Sequence, residues 1–191
     1  MANNSSTGGP INSAAAIPYD AALDAIFQSL IAGVTGIAGA YVRPFWQPVV
    51  PKQPAPTVDW CAVAVNVIPV DDGPAIIHDP TGNGADTYIR HELIEVLTAF
   101  YGPDAQANAS TLRDGLAIPQ NTEALIQYAT RWIDCGQLRS VPELVNQQWI
   151  RRVDVTSNFK REVTRSYPVL TLLSAQTHLF DDTTINDTIT N

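Results

Sequence analysis

The hydrophobic positions between Asp86 and Gly102 fit two different periods. At 3.6 residues per turn they form a single apolar stripe, which is typical of a surface helix. At a period of two they fill both faces of a strand, because successive side chains point to opposite sides. The stripe is made of Ile89, Leu93, Val96 and Phe100, and the strand faces of Tyr88, Ile94, Val96 and Phe100 against Ile89, Leu93, Leu97 and Tyr101. Periodicity by itself leaves both interpretations open.

The pattern predicts three helices elsewhere in the chain. The first begins at Asp20, and Gly33 is predicted to end it. The second spans Asp104 to Leu116, and the third follows Asn121, a residue type that suits the N-cap position. The residues expected to face inward are Leu23, Ile26, Phe27, Leu30 and Ile31 in the first helix, Ala105, Ala109, Leu112 and Leu116 in the second, and Leu125, Ile126 and Ala129 in the third.

Strands are predicted from β-branched and alternating stretches. WCAVAVNVIPV, between Asp59 and Val70, is nearly continuous and β-branched, as in a buried or half-buried strand. Short strands are predicted near Ile76 to His78 and near Arg131 to Leu138. Two longer strands, residues 149–155 and 159–167, alternate in the same way. We expect them to form a hairpin whose turn is Thr156, Ser157 and Asn158.

The segment after Tyr41 is rich in proline. Five prolines lie between Pro44 and Pro56, so the backbone must be extended and cannot form a regular ladder inside a sheet. We call residues 44–56 the proline-rich arm. It is predicted to be either an exposed arm that carries Phe45 and Trp46 to a partner, or a segment packed on its own sheet.

Together these elements predict an α+β fold with a mainly antiparallel sheet flanked by helices. Residues 19–176 are expected to form one domain, between a flexible segment at 1–18 and a flexible acidic tail at 177–191. Within such a sheet, the strand interpretation of Asp86 to Gly102 is favoured over the helix, because a strand there could pair along the whole predicted hairpin.

The charge content changes the picture of the surface. Charged residues make up only 16% of the 191 residues, against about 25% in typical domains, so part of the surface is expected to be covered by self-association. The net charge of −8 argues against tight binding to nucleic-acid phosphates. No charge occurs between Asp24 and Arg43, but three glycines interrupt this run, and we expect no membrane span. Cys61 and Cys135 are expected to be reduced structural thiols.

Candidate chemistry is sparse. The residues that could bind a metal are His78, Asp79, His91, Glu92 and Glu95. His91 and Glu95 converge on a helix, whereas on a strand they lie about 13 Å apart. No HExxH or GxSxG motif, phosphate-binding glycine loop or Cys/His signature is present. We therefore expect no catalytic residues, no metal site and no cofactor.

A basic cluster lies near the C-terminus and consists of Arg151, Arg152, Lys160, Arg161 and Arg165. It could contact nucleic acid. Strand alternation would instead divide it between two faces, where it could pair with Asp154, Glu162 or the acidic groups of a neighbouring subunit. We favour pairing between subunits.

Five blocks of sequence, in this order and with these spacings, resemble the bacteriophage neck or tail terminator proteins. They are VRPFWQP (Val42 to Pro48), IRHELIEVLTAFYGPDA (Ile89 to Ala105), LRDGLAIPQN (Leu112 to Asn121), VPELVNQQWIRRVDV (Val141 to Val155) and REVTRSYPVLTLLSAQ (Arg161 to Gln176). The resemblance implies a mixed sheet flanked by helices, in which RHELIEVLTAFYG is a strand. It also implies a structural virion protein, with no enzymatic activity, that forms a ring, typically hexameric, which caps the tail tube and joins it to the head connector.

The partners implied by the resemblance are further copies of this chain, the head connector or adaptor proteins and the tail tube protein. Assembly would take place in the host cytoplasm, away from any membrane, and genomic DNA would pass through the ring without specific binding. The residues expected at subunit or partner contacts are Arg43, Phe45, Trp46 and Trp149, together with the basic cluster. A metal-dependent or DNA-binding phage accessory protein is the alternative function.

Overall fold

The computed structural model describes residues 3–13, 16–47, 49, 51–145 and 147–172. The helices are α1 (Asp20–Thr35), α2 (Ala105–Leu116) and α3 (Pro119–Thr122), and 3-10 turns occupy Gly39–Tyr41 and Glu123–Tyr128. The strands are β1 (Val42–Pro44), β2 (Trp60–Pro69), β3 (Ala75–Asp79), β4 (Ala85–Tyr101), β5 (Thr130–Cys135), β6 (Arg139–Ser140), β7 (Glu143–Val145), β8 (Gln148–Ile150) and β9 (Arg152–Tyr167). The predicted α+β class is confirmed.

The ambiguous stretch is a strand, as the resemblance implied. β4 pairs antiparallel with β2 over ten residue pairs and with β9 over sixteen. The order across the main sheet is β1-β2-β4-β9-β5, with β3 added to β4 and β6 added to β9. Among the strands of the described residues, only β1 runs parallel to its neighbour. β4 therefore lies at the centre, where both of its apolar faces can be covered.

The predicted hairpin at residues 149–167 is wrong. Residues 152–167 form one continuous strand, and Thr156, Ser157 and Asn158 pair with Leu97, Val96 and Glu95 of β4. These three residues include neither glycine nor proline, so nothing interrupts the strand, and Ser157 keeps the alternation by pointing inward. The hairpin lies earlier in the chain, between β7 and β8.

Helices cover one face of the sheet. The core between them contains Phe27 of α1, Leu112 of α2, and Ile94, Val96 and Phe100 of β4. The rings of Phe27 and Phe159 lie 4.9 Å apart at a tilted angle. The even-numbered side chains of β4 thus face the helices, as the period of two requires.

α1 continues past Gly33, which was predicted to end it, and ends before Gly36. Gly36 takes the left-handed conformation, with φ of 75°, and its N–H donates to the Ala32 carbonyl. A glycine is favoured there because it has no Cβ to clash. Gly33 therefore remains an ordinary helical residue.

The predicted third helix differs from the structure. α3 begins at Pro119, a residue suited to the first helical turn, and a 3-10 turn follows it. Asn121 lies inside α3 and donates to the Gly115 carbonyl near the end of α2, so it is not an N-cap. Leu125 is buried as predicted, but Ile126 is 44% exposed because the 3-10 turn changes the angle between successive side chains.

A smaller core lies on the opposite face of the sheet. It contains Ala62, Ala99, Tyr101 and Ile150, packed with Phe45, Trp60 and Val145. The rings of Trp60 and Tyr101 are stacked at 4.2 Å. Burial raises the pKa of Tyr101 to about 12. The proline-rich arm and the β7–β8 hairpin contribute to this core.

Both cysteines are free thiols, as predicted. Cys61 lies in the larger core, where burial raises its pKa to about 12, and Cys135 is half-buried. Within the described residues, no helix is long and apolar enough to cross a membrane. The predicted acidic tail at 177–191 lies outside the described residues, and the division into one domain with flexible ends stays a prediction.

Gly102→Ala should destabilise the fold by about 1–3 kcal/mol, because strain from a positive φ adds to a steric clash. Gly102 has φ of 114°, and an added Cβ would lie 2.8 Å from the Val58 carbonyl oxygen. The control is Gly73→Ala, since Gly73 has neither a positive φ nor an atom within 4 Å of the added Cβ. Urea denaturation measures both, and equal stability of the two variants would contradict this account.

Candidate assembly surfaces

The proline-rich arm is partly packed on its own sheet and partly exposed. The Phe45 N–H donates to the Val63 carbonyl at 2.8 Å, and its side chain packs against the smaller core. Arg43 holds the arm to the chain by donating to the carbonyls of Ala40 and Lys52. Trp46, the next aromatic residue, is 84% exposed. The arm is therefore packed on the sheet at Phe45 and exposed at Trp46, and a contact between Trp46 and a partner stays a prediction.

A second exposed tryptophan lies on the β7–β8 hairpin. Trp149 is 71% exposed and pairs across the hairpin with Leu144, which is also exposed. Val145 and Ile150 point the other way, into the smaller core. The hairpin is thus fixed to the body by one face and presents an apolar pair on the other.

An open groove of about 260 Å³ lies between the arm and the hairpin. Its lining includes Phe45, Trp60, Tyr101 and, at the polar end, Arg43 and Glu143. Sequence reasoning did not assign Trp60, Tyr101 or Leu144 to a surface site. The signal was weak, because Trp60 and Tyr101 become neighbours only through the pairing of β2 with β4.

The basic cluster is divided between environments. Arg152 lies on the face opposite the helices, where its Nε and Nη2 donate to Asp154 at 2.7 and 2.9 Å. This hydrogen bonding raises the pKa of Arg152. Glu143 lies 3.4 Å from the same guanidinium. Arg151 is exposed and donates to the Pro103 carbonyl. The predicted partner Asp154 is therefore found within the same chain.

Two further members of the cluster differ in their exposure. Lys160 is exposed and pairs in register with Arg131 of β5. Arg165 is half-buried, with its guanidinium carbon 5.9 Å from the centre of the Tyr19 ring. Hydrogen bonding to Tyr19 raises the pKa of Arg165.

Arg161 is 1% exposed, so its predicted role as a contact to another subunit is corrected. Its Nη2 and Nε lie 2.5 and 3.1 Å from Oε2 of Glu92, which is equally buried, and its Nη1 donates to the Pro18 carbonyl. The Tyr19 ring stacks on the guanidinium at 4.6 Å, and the Tyr19 hydroxyl donates to Glu92. Because Glu92 and Arg161 are paired across β4 and β9, burial of one requires burial of the other.

The remaining His and carboxylate residues form separate pairs. His78 Nδ1 lies 2.6 Å from Asp86, and His91 contacts Asp71 through its backbone N–H and Nδ1. The backbone N–H of His91 is the main reason that the pKa of Asp71 is lowered. In the part of the chain that the structure describes, no group of three or more His, Cys, Asp or Glu side chains could hold a metal ion.

The sequence model of a protein family described as phage neck terminator protein matches residues 21–183. The chain belongs to this family. No curated protein matches it. A phage neck terminator protein is a structural component of the virion, so its working parts are surfaces, and the exposed arm and hairpin are the candidates that this fold offers.

The ion pair at the centre of this neck terminator is open to a direct test. Arg161→Met should destabilise the fold by about 3–5 kcal/mol, because it leaves the Glu92 carboxylate buried without its partner. Replacing both residues by Met should cost much less than the sum of the two single changes. Thermal or urea unfolding of the two singles and the double measures this.

The matched control is Arg151→Met, which removes an exposed arginine from the same stretch and should change stability by less than about 0.5 kcal/mol. Additive effects of the two single changes at Glu92 and Arg161 would mean that the pair is not energetically coupled.

Proposed function

We propose that this protein forms a ring, most simply a hexamer, at the phage neck, where it terminates the tail tube and joins it to the head connector. Membership of the neck terminator family supports this role. Residues 19–176 would form the ring subunit. Its partners would be further copies of itself, the tail tube protein and the connector or adaptor proteins of the head, with assembly in the host cytoplasm.

The observation that carries the proposal is a charge difference between the stretch that contains β2 and β3 and the stretch that contains β5 to β9, which lie on opposite sides of β4. Residues 53–89, which include β2 and β3, contain five aspartates and no glutamate, lysine or arginine. Residues 130–167, which include β5 to β9, contain seven lysines or arginines against four aspartates or glutamates. Two unlike sides favour a head-to-tail contact between copies, and such a contact closes into a ring when the rotation per subunit divides the circle.

Exposed aromatic residues give the proposal its contact points. Trp46 and Trp149 lie on rigid supports, the proline-rich arm and the β7–β8 hairpin, and large aromatics on rigid segments are favourable anchors. Arg43 and Phe45 would act by holding the arm in place. Arg151, Arg152, Lys160 and Arg165 would contribute the basic side of the subunit contact.

DNA would pass through the lumen without specific binding. A net charge of −8 per subunit gives a ring an overall negative potential, which repels phosphates and limits retention of the duplex. The basic side chains would be neutralised by Asp154, by Glu143 and by the acidic side of the next copy.

The first test is the mass of the purified protein. Sedimentation velocity and negative-stain microscopy should detect closed rings at low ionic strength. Association should weaken as salt is raised, because the Debye length falls from about 8 Å at 0.15 M to about 3 Å at 1 M. Circular dichroism at each salt concentration serves as the folding control. A strict monomer at every concentration and salt would overturn the ring.

Trp46→Ala should weaken assembly or docking onto tail tubes while leaving the subunit folded, because the side chain is almost fully exposed in the free chain. The matched comparison is Trp60→Ala, which removes the ring stacked on Tyr101 and should lower the stability of the subunit itself. Assembly is measured by sedimentation and stability by thermal unfolding. Unchanged assembly of Trp46→Ala would remove the arm from the contact.

A further inference from the structure

The outer margin of β9 lacks a strand partner over its last residues. β5 pairs with β9 only up to Arg161, and Ala129 accepts one further hydrogen bond, from the Glu162 N–H. Since strand residues alternate in the direction of their backbone groups, Thr164 and Ser166 also point outward. In the described part of the chain, no strand lies beside them on this side.

The N-terminal segment contacts β9 and the residues that follow it at two points, one near each end of this open margin. We call residues 3–13 and 16–19 the N-terminal strap. Its end nearest α1 is fixed where the Pro18 carbonyl and the Tyr19 ring meet Arg161. At its other end, the Ser5 N–H donates to the Pro168 carbonyl, and the Leu170 N–H donates to Ser5 Oγ at 2.7 Å. Both ends of the strap therefore contact residues 161–170, the stretch that contains the open margin.

The strap is held unequally along its length. Pro18 and Tyr19 lie against a buried ion pair, whereas residues 5–10 are all exposed. The strap joins α1 at Asp20, whose φ of 50° lies in the left-handed region that non-glycine residues rarely adopt. The outer part of the strap can therefore leave while the anchor at Tyr19 stays in place.

β3 presents the matching open edge. It is five residues long, pairs with β4 on one side only, and all five of its residues are exposed. Ile76 and Ile77 are each 56% exposed on this edge strand. An exposed apolar edge strand invites pairing with another chain. Its length equals that of the open stretch of β9, residues 163–167.

We propose that the N-terminal strap covers the open margin of β9 in the free subunit and that β3 of a second copy replaces it when subunits associate. The proposal rests on the head-to-tail ring proposed above. The occupant is a second copy because β3 lies in the stretch of residues 53–89, which contains aspartates and no lysine or arginine, whereas β9 lies in the basic stretch. Pairing β3 with β9 would join the sheets of neighbouring copies and remove two open edges together.

A reversible lock tests the strap. The full-length Ser5→Cys, Leu170→Cys variant can form a disulfide between the strap and the chain after β9, since Ser5 Oγ already touches the Leu170 N–H. The oxidised protein should form rings only at subunit concentrations at least about tenfold higher than the wild-type protein needs. The same protein should assemble like wild type after reduction. Ser5→Cys alone, under the same oxidant, is the control.

A second variant tests the occupant. Ile77→Lys places a charge on the edge of β3, a device that opposes strand pairing, and should raise the concentration needed for rings by a similar factor of about ten. Ile118→Lys, at another exposed isoleucine, is the control and should assemble normally. Sedimentation velocity measures ring formation by both variants as a function of protein concentration.

The outcomes are distinguishable. If wild type forms rings and the oxidised, cross-linked protein forms them at the same concentration, the strap proposal is overturned and the ring stands. If Ile77→Lys assembles as readily as Ile118→Lys, β3 is not the occupant and the proposal is overturned in the same way. If wild type forms no ring, the proposed function fails and the strap proposal fails with it.

Discussion

The pair of Glu92 and Arg161 is the constraint on which the rest of the fold depends. The two residues lie directly opposite each other on β4 and β9, and both are almost completely buried. If β9 slipped by one residue along β4, Arg161 would move to the other face of the sheet and leave Glu92 buried without it, so the pair fixes the register of the two longest strands. Pro18 and Tyr19 close over it, which also fixes where α1 begins.

With this register, the two faces of the sheet are covered by different elements and to different extents. Helices α1 and α2 cover the face with Ile94, Val96 and Phe100, and the larger core lies between them and the sheet. The opposite face is covered at one end only, by Phe45, Trp60 and the β7–β8 hairpin. Trp149 is exposed beside this smaller core, whereas Trp46 is exposed on the helix-covered side, next to Leu23 and Val63.

Much of the candidate surface was predictable because it depends on local chemistry. Proline content alone indicates that residues 44–56 cannot lie inside a sheet, and Trp46 is exposed as that predicts. The clustering of basic residues near the C-terminus is likewise visible in the sequence. The sequence did not indicate the partner of each basic residue. Arg152 bonds to Asp154, two residues away, but Arg161 bonds to Glu92, which is 69 residues distant in sequence.

The sequence by itself determined the class of fold, the positions of α1, α2, β2, β3 and β5, and the family, because these follow from periodicity and from ordered blocks of residues. Periodicity left residues 85–101 open between helix and strand, and only the pairing seen in the tertiary structure decides that they form β4. The tertiary structure likewise decides that β9 runs unbroken through Thr156 to Asn158 and that Arg161 is buried. In each case the deciding contacts come from distant segments. A local pattern cannot report which neighbour will satisfy a backbone group or a charge once the chain is folded.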